Sequence, residues 1–275
     1  MPTLPPERSP GSESHRQRAL AESFGADTDR YDRTRPGYPA ELIERIAAAS
    51  PGPDVLDVGI GTGIAARQLQ QAGCRVHGVE PDARMAESAR RLGIEVDVAT
   101  FEDWNPRGRG FDAVVAAQAW HWVDPVAGAA QAARVLRPQG RLALLWNAFQ
   151  LPPEVAEPVV AACKRAMPDM PAAVTDALAE PGLEVYVPGF AKAAEGIRQA
   201  GAFSEPEQWR RDWQRHYTRS AWLEQMPTFG ILTRLPAEPL AEVLESAGAA
   251  IDALGGGFTM EYTTVAVTAS RTGQA

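Results

Sequence analysis

Three glycines and a carboxylate lie close together in the segment VLDVGIGTG, residues 55–63. Gly59, Gly61 and Gly63 alternate with other residues, and Asp57 stands two positions before the first of them. Glycine lets the backbone turn tightly and bring its amide groups against a ligand. A helix that begins after such a loop adds free N–H groups at its first turn. The segment therefore predicts a ligand site with a carboxylate beside it.

A second carboxylate, Glu80, ends the segment RVHGVE, 21 positions after Gly59 (80 − 59). At the end of a second strand, such a residue can accept hydrogen bonds from both hydroxyls of a ribose. Dinucleotide-binding folds space their glycines as GxGxxG and place a pyrophosphate at the helix N-terminus. Here the spacing is GxGxG, and Asp57 would repel a pyrophosphate. The pattern favours a cationic nucleoside, S-adenosylmethionine, over a nicotinamide cofactor, which stays as the alternative.

Composition excludes several other classes of function. The chain has 275 residues, a net charge of −8 and a pI of about 5.2, which argues against nucleic acid as a partner. Its two cysteines, Cys74 and Cys163, form no CxxC pair and its four histidines are scattered, so we expect no metal site. With no apolar run of membrane-spanning length and no signal-peptide pattern, we expect a cytoplasmic protein without a membrane partner. The oligomeric state is left open.

Strand-like and helix-like segments alternate from residue 54 to residue 147, which indicates right-handed βαβ units and a parallel sheet. The predicted strands are VLDV, RVHGVE, IEVDVAT, FDAVVAAQ and GRLALLWN, and helices are predicted over 14–24, 40–49, 64–72, 82–93 and 125–136. Residues 1–13 are expected to be disordered, residues 14–275 to form one domain, and YDRTRPGYP to form a loop.

After residue 147 this alternation stops, and prolines divide the chain into short pieces. We expect residues 151–200 to form a helical cap, or lid, over a pocket. The residues after the cap predict a strand in FSEPEQWRRDWQRHYT, a short helix in SAWLEQM, a helix over 240–254 and a final strand in FTMEYTTVAVTAS.

Several of these segments resemble a known family. VLDVGIGTG is similar to the first motif of the class I S-adenosylmethionine-dependent methyltransferases, and VHGVEPDARM to their second-strand motif. YDRTRPGYP, HWVDP and ARVLRPQGRLALLWN resemble the UbiE-like, type 11 branch, which includes trans-aconitate methyltransferase-like proteins. The resemblance implies a Rossmann-like α/β fold with seven strands in the order 3-2-1-4-5-7-6, the seventh antiparallel.

The resemblance also implies a set of cofactor-binding residues. It places Asp57, Gly59, Gly61 and Gly63 at the methionine part of the cofactor, Glu80 at the ribose, Met85, Phe101 and Glu102 at the adenine, and Ala117 and Gln118 beside the sulfonium. Each has a purely structural alternative. Asp57 could cap a turn, Glu80 could be a surface acid, and Met85 and Phe101 could be packing residues.

Candidate acceptor-binding residues gather where the fourth and fifth strands end, because ligands of open α/β sheets bind at the carboxyl ends of strands. Trp120, Trp122 and Trp146 could form an apolar wall, or could simply pack beneath the cap. His121 is the one side chain in this stretch suited to act as a general base near pH 7, or it could be bonded to its own loop. Asp124 before Pro125 predicts a helix N-cap rather than a catalytic group.

The loop before the first strand supplies Tyr31, Arg35 and Tyr38. The family resemblance places it over the methionine end of the cofactor, where Arg35 could hold a carboxylate of the cofactor or of the acceptor. The alternative is an exposed arginine. We therefore predict a methyltransferase that modifies a small molecule, with oxygen or nitrogen favoured over carbon. A protein that binds the cofactor without catalysis is a further alternative.

Overall fold

A seven-stranded sheet forms the centre of the computed structural model, which describes Gly25 and residues 27–168, 182–230, 232, 233 and 235–273. Its strands are β1 Asp54–Val58, β2 Arg75–Glu80, β3 Glu95–Val98, β4 Phe111–Ala117, β5 Leu136–Gln150, β6 Glu207–Thr218 and β7 Gly257–Ser270. They lie in the order β3-β2-β1-β4-β5-β7-β6. β1 to β5 pair in parallel and β7 pairs antiparallel with β5 and β6. The predicted fold and strand order are confirmed.

Nine α-helices fall within the described residues: α1 Thr28–Thr34, α2 Ala40–Ala48, α3 Ile64–Gln71, α4 Ala83–Arg90, α5 Pro125–Val135, α6 Pro153–Ala166, α7 Leu183–Gln199, α8 Arg219–Gln225 and α9 Ala237–Ala253. Short 3-10 helices span Trp120–Trp122 and Met226–Thr228. None of these helices has both the length and the apolar composition needed to cross a membrane. The predicted disordered segment 1–13 and the predicted helix 14–24 lie outside the described residues.

The sequence around Asp124 shows how local signals set one of these boundaries. Its carboxylate accepts hydrogen bonds from the backbone N–H groups of Val126 at 3.0 Å and Ala127 at 2.8 Å, and Pro125 occupies the first helical turn. This is an N-cap with proline pre-set for the helix. The predicted capping role of Asp124 is confirmed, and the carboxylate is engaged in it.

One local prediction is wrong. The segment YDRT belongs to α1 and is not part of a loop, because Asp27 caps the helix by accepting a hydrogen bond from the backbone N–H of Arg30 at 3.0 Å. The loop begins at Arg35, whose extended backbone precedes Pro36 as the proline requires.

The residues of the predicted cap divide between two cores. From α7, Phe190 and Ile197 pack with Trp146 in the main core beside the sheet. From α6, Val155 and Val159 pack instead in a second core, beyond β5, that contains aromatic residues of β6, β7 and α8. The α6 part of the predicted cap therefore does not lie over the tryptophan pocket. It packs instead beside α9 and the first residues of β7.

The contact between α7 and α5 is close enough to test by mutation. A Cβ atom at Gly196 would lie 2.4 Å from the carbonyl oxygen of Pro125, whereas a Cβ at Gly189, in the same helix, would meet no atom within 4 Å. We expect Gly196→Ala to cost about 1–3 kcal/mol of stability through overpacking. The matched variant Gly189→Ala should gain about 0.5–1 kcal/mol from helix propensity. Thermal unfolding of both variants checks this, and a stabilised Gly196→Ala protein would contradict the docking of α7.

Candidate active site

A cavity of about 780 Å³ opens at the carboxyl ends of the parallel strands. It is lined by the loops that follow β1, β2, β3 and β4 and by the last residues of β5, and α1, α7 and Phe229 add to its walls. It brings together most of the residues that the sequence singled out: Tyr31, Arg35, Tyr38, Asp57, Gly59, Gly61, Glu80, Met85, Phe101, Glu102, Ala117, Gln118, His121, Trp122 and Trp146. Gly63 and Trp120 are predicted site residues that do not line it.

The glycine loop turns beneath the cavity in left-handed backbone. Gly59 and Gly61 have φ angles of 65° and 58°, a region that other residues enter at a cost. A Cβ on Gly59 would also lie 2.5 Å from the Cβ of Ala119, so this position has no room for a side chain. Gly63, with φ of 88°, is the N-cap of α3 and faces Ile94 rather than the cavity. In this structure Gly63 allows the left-handed turn that leads into α3.

Glu80 fixes the shape of that loop. Its two carboxylate oxygens accept hydrogen bonds from the backbone N–H of Gly61 at 2.9 Å and of Asp82 at 3.0 Å. The side chain is buried, so it is not a surface acid. Burial raises the pKa of Glu80, and the two backbone hydrogen bonds oppose that rise. Because each carboxylate oxygen can accept a second hydrogen bond, Glu80 retains the capacity to hold hydroxyl groups.

Asp57 is the most unusual group in the cavity. It is 1% exposed, and neither of its carboxylate oxygens has a hydrogen-bond partner among the described residues. Burial, with a smaller contribution from the charge of Glu80, raises the pKa of Asp57 to about 8. It caps no turn. A buried carboxylate without partners is costly unless a cation or donor reaches it, so this position suits a positively charged ligand group.

Arg35 crosses the wall of the cavity between two aromatic rings. Its guanidinium lies 5.0 Å from the ring centre of Tyr31 and 4.5 Å from that of Phe229. One of its terminal nitrogens donates to the carbonyl of Thr228 at 2.6 Å, whereas its Nε is buried without a partner. Arg35 is therefore a held, partly unsatisfied cation, and the alternative of an exposed arginine is wrong.

The aromatic wall differs in part from the one expected. Trp122 and Trp146 line the cavity, but Trp120 lies in the main core, 3% exposed, beside Phe101. Gly128 of α5 makes room for it, because a Cβ there would lie 3.0 Å from the Trp120 ring. Phe101 both borders the cavity and packs in this core.

The wall residues that sequence reasoning missed include Asn147, Phe149, Tyr186 and Phe229. Asn147 carried a usable signal, because it is a polar residue inside the apolar strand β5. Phe149 extends the same strand past the predicted end. Tyr186 and Phe229 reach the cavity only through the packing of α7 and of the segment after α8, which no local pattern records.

His121 lies at the rim, with its ring centre 4.6 Å from that of Trp122. Desolvation by neighbouring protein atoms lowers the pKa of the His121 imidazole below the usual value. Because the residue is exposed to solvent, the effect of this desolvation is reduced. The imidazole is thus neutral at pH 7 and able to accept a proton.

Comparison with known proteins shows which family this sheet and cavity resemble. Residues 56–144 match the family model Methyltransf_11, a methyltransferase domain. Together with the fold, this match supports a class I S-adenosylmethionine-dependent methyltransferase. An uncharacterised methyltransferase of Mycobacterium tuberculosis is 41% identical over 134 residues, which are 48% of this chain and 54% of that protein. The chain thus spans about half the length of the curated relatives it matches.

A solved structure extends the similarity over most of the methyltransferase fold. A protein from Anaeromyxobacter dehalogenans, described as a type II methyltransferase, superposes with a TM-score of 0.62 and 26% identity, covering 86% of this chain and 97% of its own. YcgJ of Bacillus subtilis shares the fold with a TM-score of 0.50 and 16% identity, over 86% and 98% of the two chains.

S-adenosylmethionine is the cofactor of this family, and the cavity fits it. The partnerless Asp57 carboxylate suits an ammonium group, Gly59 and Gly61 let the backbone approach the ligand closely, and Glu80 has lone pairs free for ribose hydroxyls. The nicotinamide alternative is not supported, because Asp57 would repel a pyrophosphate placed at this loop.

Cofactor binding should depend on pH through Asp57. With a pKa of about 8, its carboxyl is protonated in the free protein at pH 7. An ammonium group binds the ionised form, so binding releases a proton below pH 8, and affinity should rise by up to about tenfold per pH unit. Above pH 8 affinity should fall again, because the α-amino group itself loses its proton near pH 8.

Calorimetric titration with S-adenosylmethionine from pH 6 to pH 9, in buffers of different ionisation enthalpy, measures both the affinity and the released proton. Asp57→Asn should bind more weakly and lose the rising limb below pH 8. A wild-type affinity that stays constant between pH 6 and pH 8 would show that no cation reaches Asp57.

Proposed function

We propose that the protein transfers the methyl group of S-adenosylmethionine to an oxygen or nitrogen atom of a small molecule. The buried, partnerless carboxylate of Asp57 beside the glycine loop is the observation that carries the proposal. The same cavity is lined by Glu80, Met85 and Phe101 and by a set of aromatic residues, which we call the aromatic chamber. The walls of this chamber include Trp122, Trp146, Phe149, Tyr186 and Phe229.

The proposed mechanism assigns positioning to most of these residues. The bound cofactor supplies an electrophilic methyl group on a positively charged sulfur. Asp57 holds the ammonium group, Glu80 holds the ribose hydroxyls, and Met85 covers the adenine. The end of β4, at Ala117 and Gln118, lies beside the reacting centre. Fixing both reactants in line supplies much of the rate, and the aromatic side chains exclude water from the reaction.

Arg35 and α7 complete the proposed site. The charges of Asp57 and Arg35 both act on the pKa of Tyr38, and all three residues line the cavity. That arrangement suits a ligand with an ammonium and a carboxylate, and Arg35 would hold the carboxylate. Because Val185, Tyr186 and Gly189 of α7 line the chamber, we infer that this part of the predicted cap contributes to acceptor choice.

The direct test incubates the purified protein with methyl-labelled S-adenosylmethionine and a metabolite extract, and follows label into products by mass spectrometry. We expect labelled small molecules with the methyl group on oxygen or nitrogen. Cofactor binding without any labelled product, across extracts from several sources, would overturn the proposed activity.

Glu80→Gln tests the cofactor half of the site. The amide cannot accept as strongly as the carboxylate, and its NH₂ group faces backbone N–H donors. Hydrogen bonds to charged groups contribute about 1.5–3 kcal/mol each, so we expect the Kd for S-adenosylmethionine to rise tenfold or more. Glu87→Gln, an exposed carboxylate on α4, is the matched control and should leave the Kd unchanged. Equal affinity of the two variants would remove Glu80 from the site.

His121→Ala tests whether a general base takes part. If His121 removes a proton from the acceptor, its loss should lower turnover by about 10²-fold or more, while the Kd for the cofactor stays within twofold. His216→Ala, an exposed histidine near the end of β6, is the control. Near-normal turnover of His121→Ala would assign catalysis to positioning alone.

A further inference from the structure

Four side chains form a hydrogen-bonded chain that runs through the sheet to the cavity. The indole N–H of Trp213 donates to Thr264 Oγ1 at 2.8 Å, and Thr264 Oγ1 donates to Asn147 Oδ1 at 2.6 Å. Asn147 Nδ2 donates to the carbonyl of Gly37 at 3.0 Å. Finally, Gln118 Nε2 donates to the backbone carbonyl of Asn147 at 3.2 Å. The chain links β6, β7, β5 and the end of β4 with the loop before α2.

The orientation of every group in this chain is determined by its neighbours. An indole N–H can only donate, and a backbone carbonyl can only accept. Gln118 must therefore direct its NH₂ group to the Asn147 carbonyl, so its Oε1 points away from that carbonyl. Gln118 is half-buried and lines the cavity. Within the described part of the chain, no residue donates a hydrogen bond to Gln118 Oε1.

The backbone at Gln118 is also in an unfavourable conformation. Its φ angle is 55°, in the left-handed region that favours glycine, and its N–H is held by the carbonyl of Leu145 at 2.8 Å. Non-glycine residues in such conformations concentrate at functional sites, where the surrounding structure holds them in place. A glycine would adopt this conformation without strain. The presence of a glutamine therefore indicates that its side chain has a role.

We propose that Gln118 Oε1 selects the methyl acceptor by accepting a hydrogen bond from an O–H or N–H group on it. Gln118 immediately precedes Ala119, which contacts the glycine loop, and it lies on the same cavity as Trp122 and Trp146. Gln118 thus lines the same cavity as the glycine loop and the aromatic chamber. The inference rests on the proposed function and adds the substrate class: hydroxyl compounds and amines that carry an N–H, rather than tertiary amines or ethers.

This role is one of positioning and specificity, because an amide oxygen is too weak a base to remove the proton. The contribution of Gln118 is to orient the accepting atom, and an acceptor without a donor would leave Oε1 unpaired in the closed cavity. A site built to hydrogen-bond a ligand group discriminates strongly against analogues that lack it, because its own polar group is then left unsatisfied.

The test measures binding of small probes to the protein saturated with S-adenosylhomocysteine, by ligand-observed NMR. Phenol is compared with anisole, and aniline with N,N-dimethylaniline, so that each pair shares a ring and differs in the donor. We expect the wild-type complex to bind phenol and aniline at least fivefold more tightly than their methylated partners. In Gln118→Met the two members of each pair should bind within twofold of one another, measured at a concentration of S-adenosylhomocysteine that saturates the variant.

Gln139→Met is a matched control. Gln139 is also a glutamine in left-handed backbone, with φ of 65°, but it is exposed and does not line the cavity. This variant should keep the wild-type preference for donors. Should Gln118→Met fold poorly, Gln118→Gly gives the same comparison without a side chain in the left-handed conformation, and it should melt at or above the wild-type temperature.

Three results would overturn the inference. Equal binding of both members of each pair by the wild type would show that no acceptor group is read. A donor preference that survives in Gln118→Met would place recognition elsewhere. A loss of S-adenosylhomocysteine affinity in Gln118→Met, with Gln139→Met unaffected, would make Gln118 a cofactor ligand. Failure of the wild type to bind S-adenosylhomocysteine would instead refute the proposed function itself.

Discussion

The buried carboxylate of Asp57 is the constraint around which the cavity is organised. It lies near the end of β1, an inner strand that pairs with β2 and β4, and it is almost completely buried. Because its pKa is raised to about 8, ionisation of Asp57 opposes folding. The protonated carboxyl therefore contributes to the free energy of unfolding. This contribution is fully present below the unfolded pKa near 3.8 and is lost as the pH rises through about 8. A ligand ammonium would offset the cost of ionising Asp57. The free protein is therefore less stable than it would be without this buried carboxyl, and ligand binding would restore that stability.

The second carboxylate has the opposite role. Glu80 is satisfied by two backbone N–H groups and thereby fixes the glycine loop in its left-handed turns. The two acids lie near enough for the charge of Glu80 to raise the pKa of Asp57. Glu80 has hydrogen-bond partners and Asp57 has none among the described residues. This difference in environment gives two nearby carboxylates different properties.

The cover of the cavity is held by ion pairs that α1 makes with three other helices. Asp32 pairs with Arg67 of α3 at 2.8 Å, Arg33 with Glu224 of α8 at 2.5 Å, and Asp29 with Arg91, the C-cap of α4, at 3.3 Å. Exposed pairs of this kind are weak individually. Together they hold α1 and the following loop at the wall of the cavity, where Arg35 lies near the rings of Tyr31 and Phe229.

The glycine-loop part of the cavity could be predicted from the sequence because its determinants are local. The glycines, Asp57 and Glu80 fall within one βαβ unit, where strand, turn and helix signals are contiguous, and the sheet order followed from the resemblance to a family. The aromatic part of the cavity was predicted only in part. Trp120 stands between two lining residues in the sequence, but the 3-10 turn rotates it into the core, which a spacing argument does not capture.

Three residues of the aromatic chamber could not be predicted from the sequence, because they come from distant parts of the chain. Phe149 comes from the extension of β5, Tyr186 from α7 and Phe229 from the segment after α8, so their meeting depends on how two separate cores pack against one sheet. The chain of hydrogen bonds through Asn147 has the same character, since it joins residues more than a hundred positions apart. The second core contains no residue of the glycine loop, whereas the main core contains Ala119, which lies against Gly59. A substitution in the second core can therefore change the aromatic chamber while leaving the glycine loop in place.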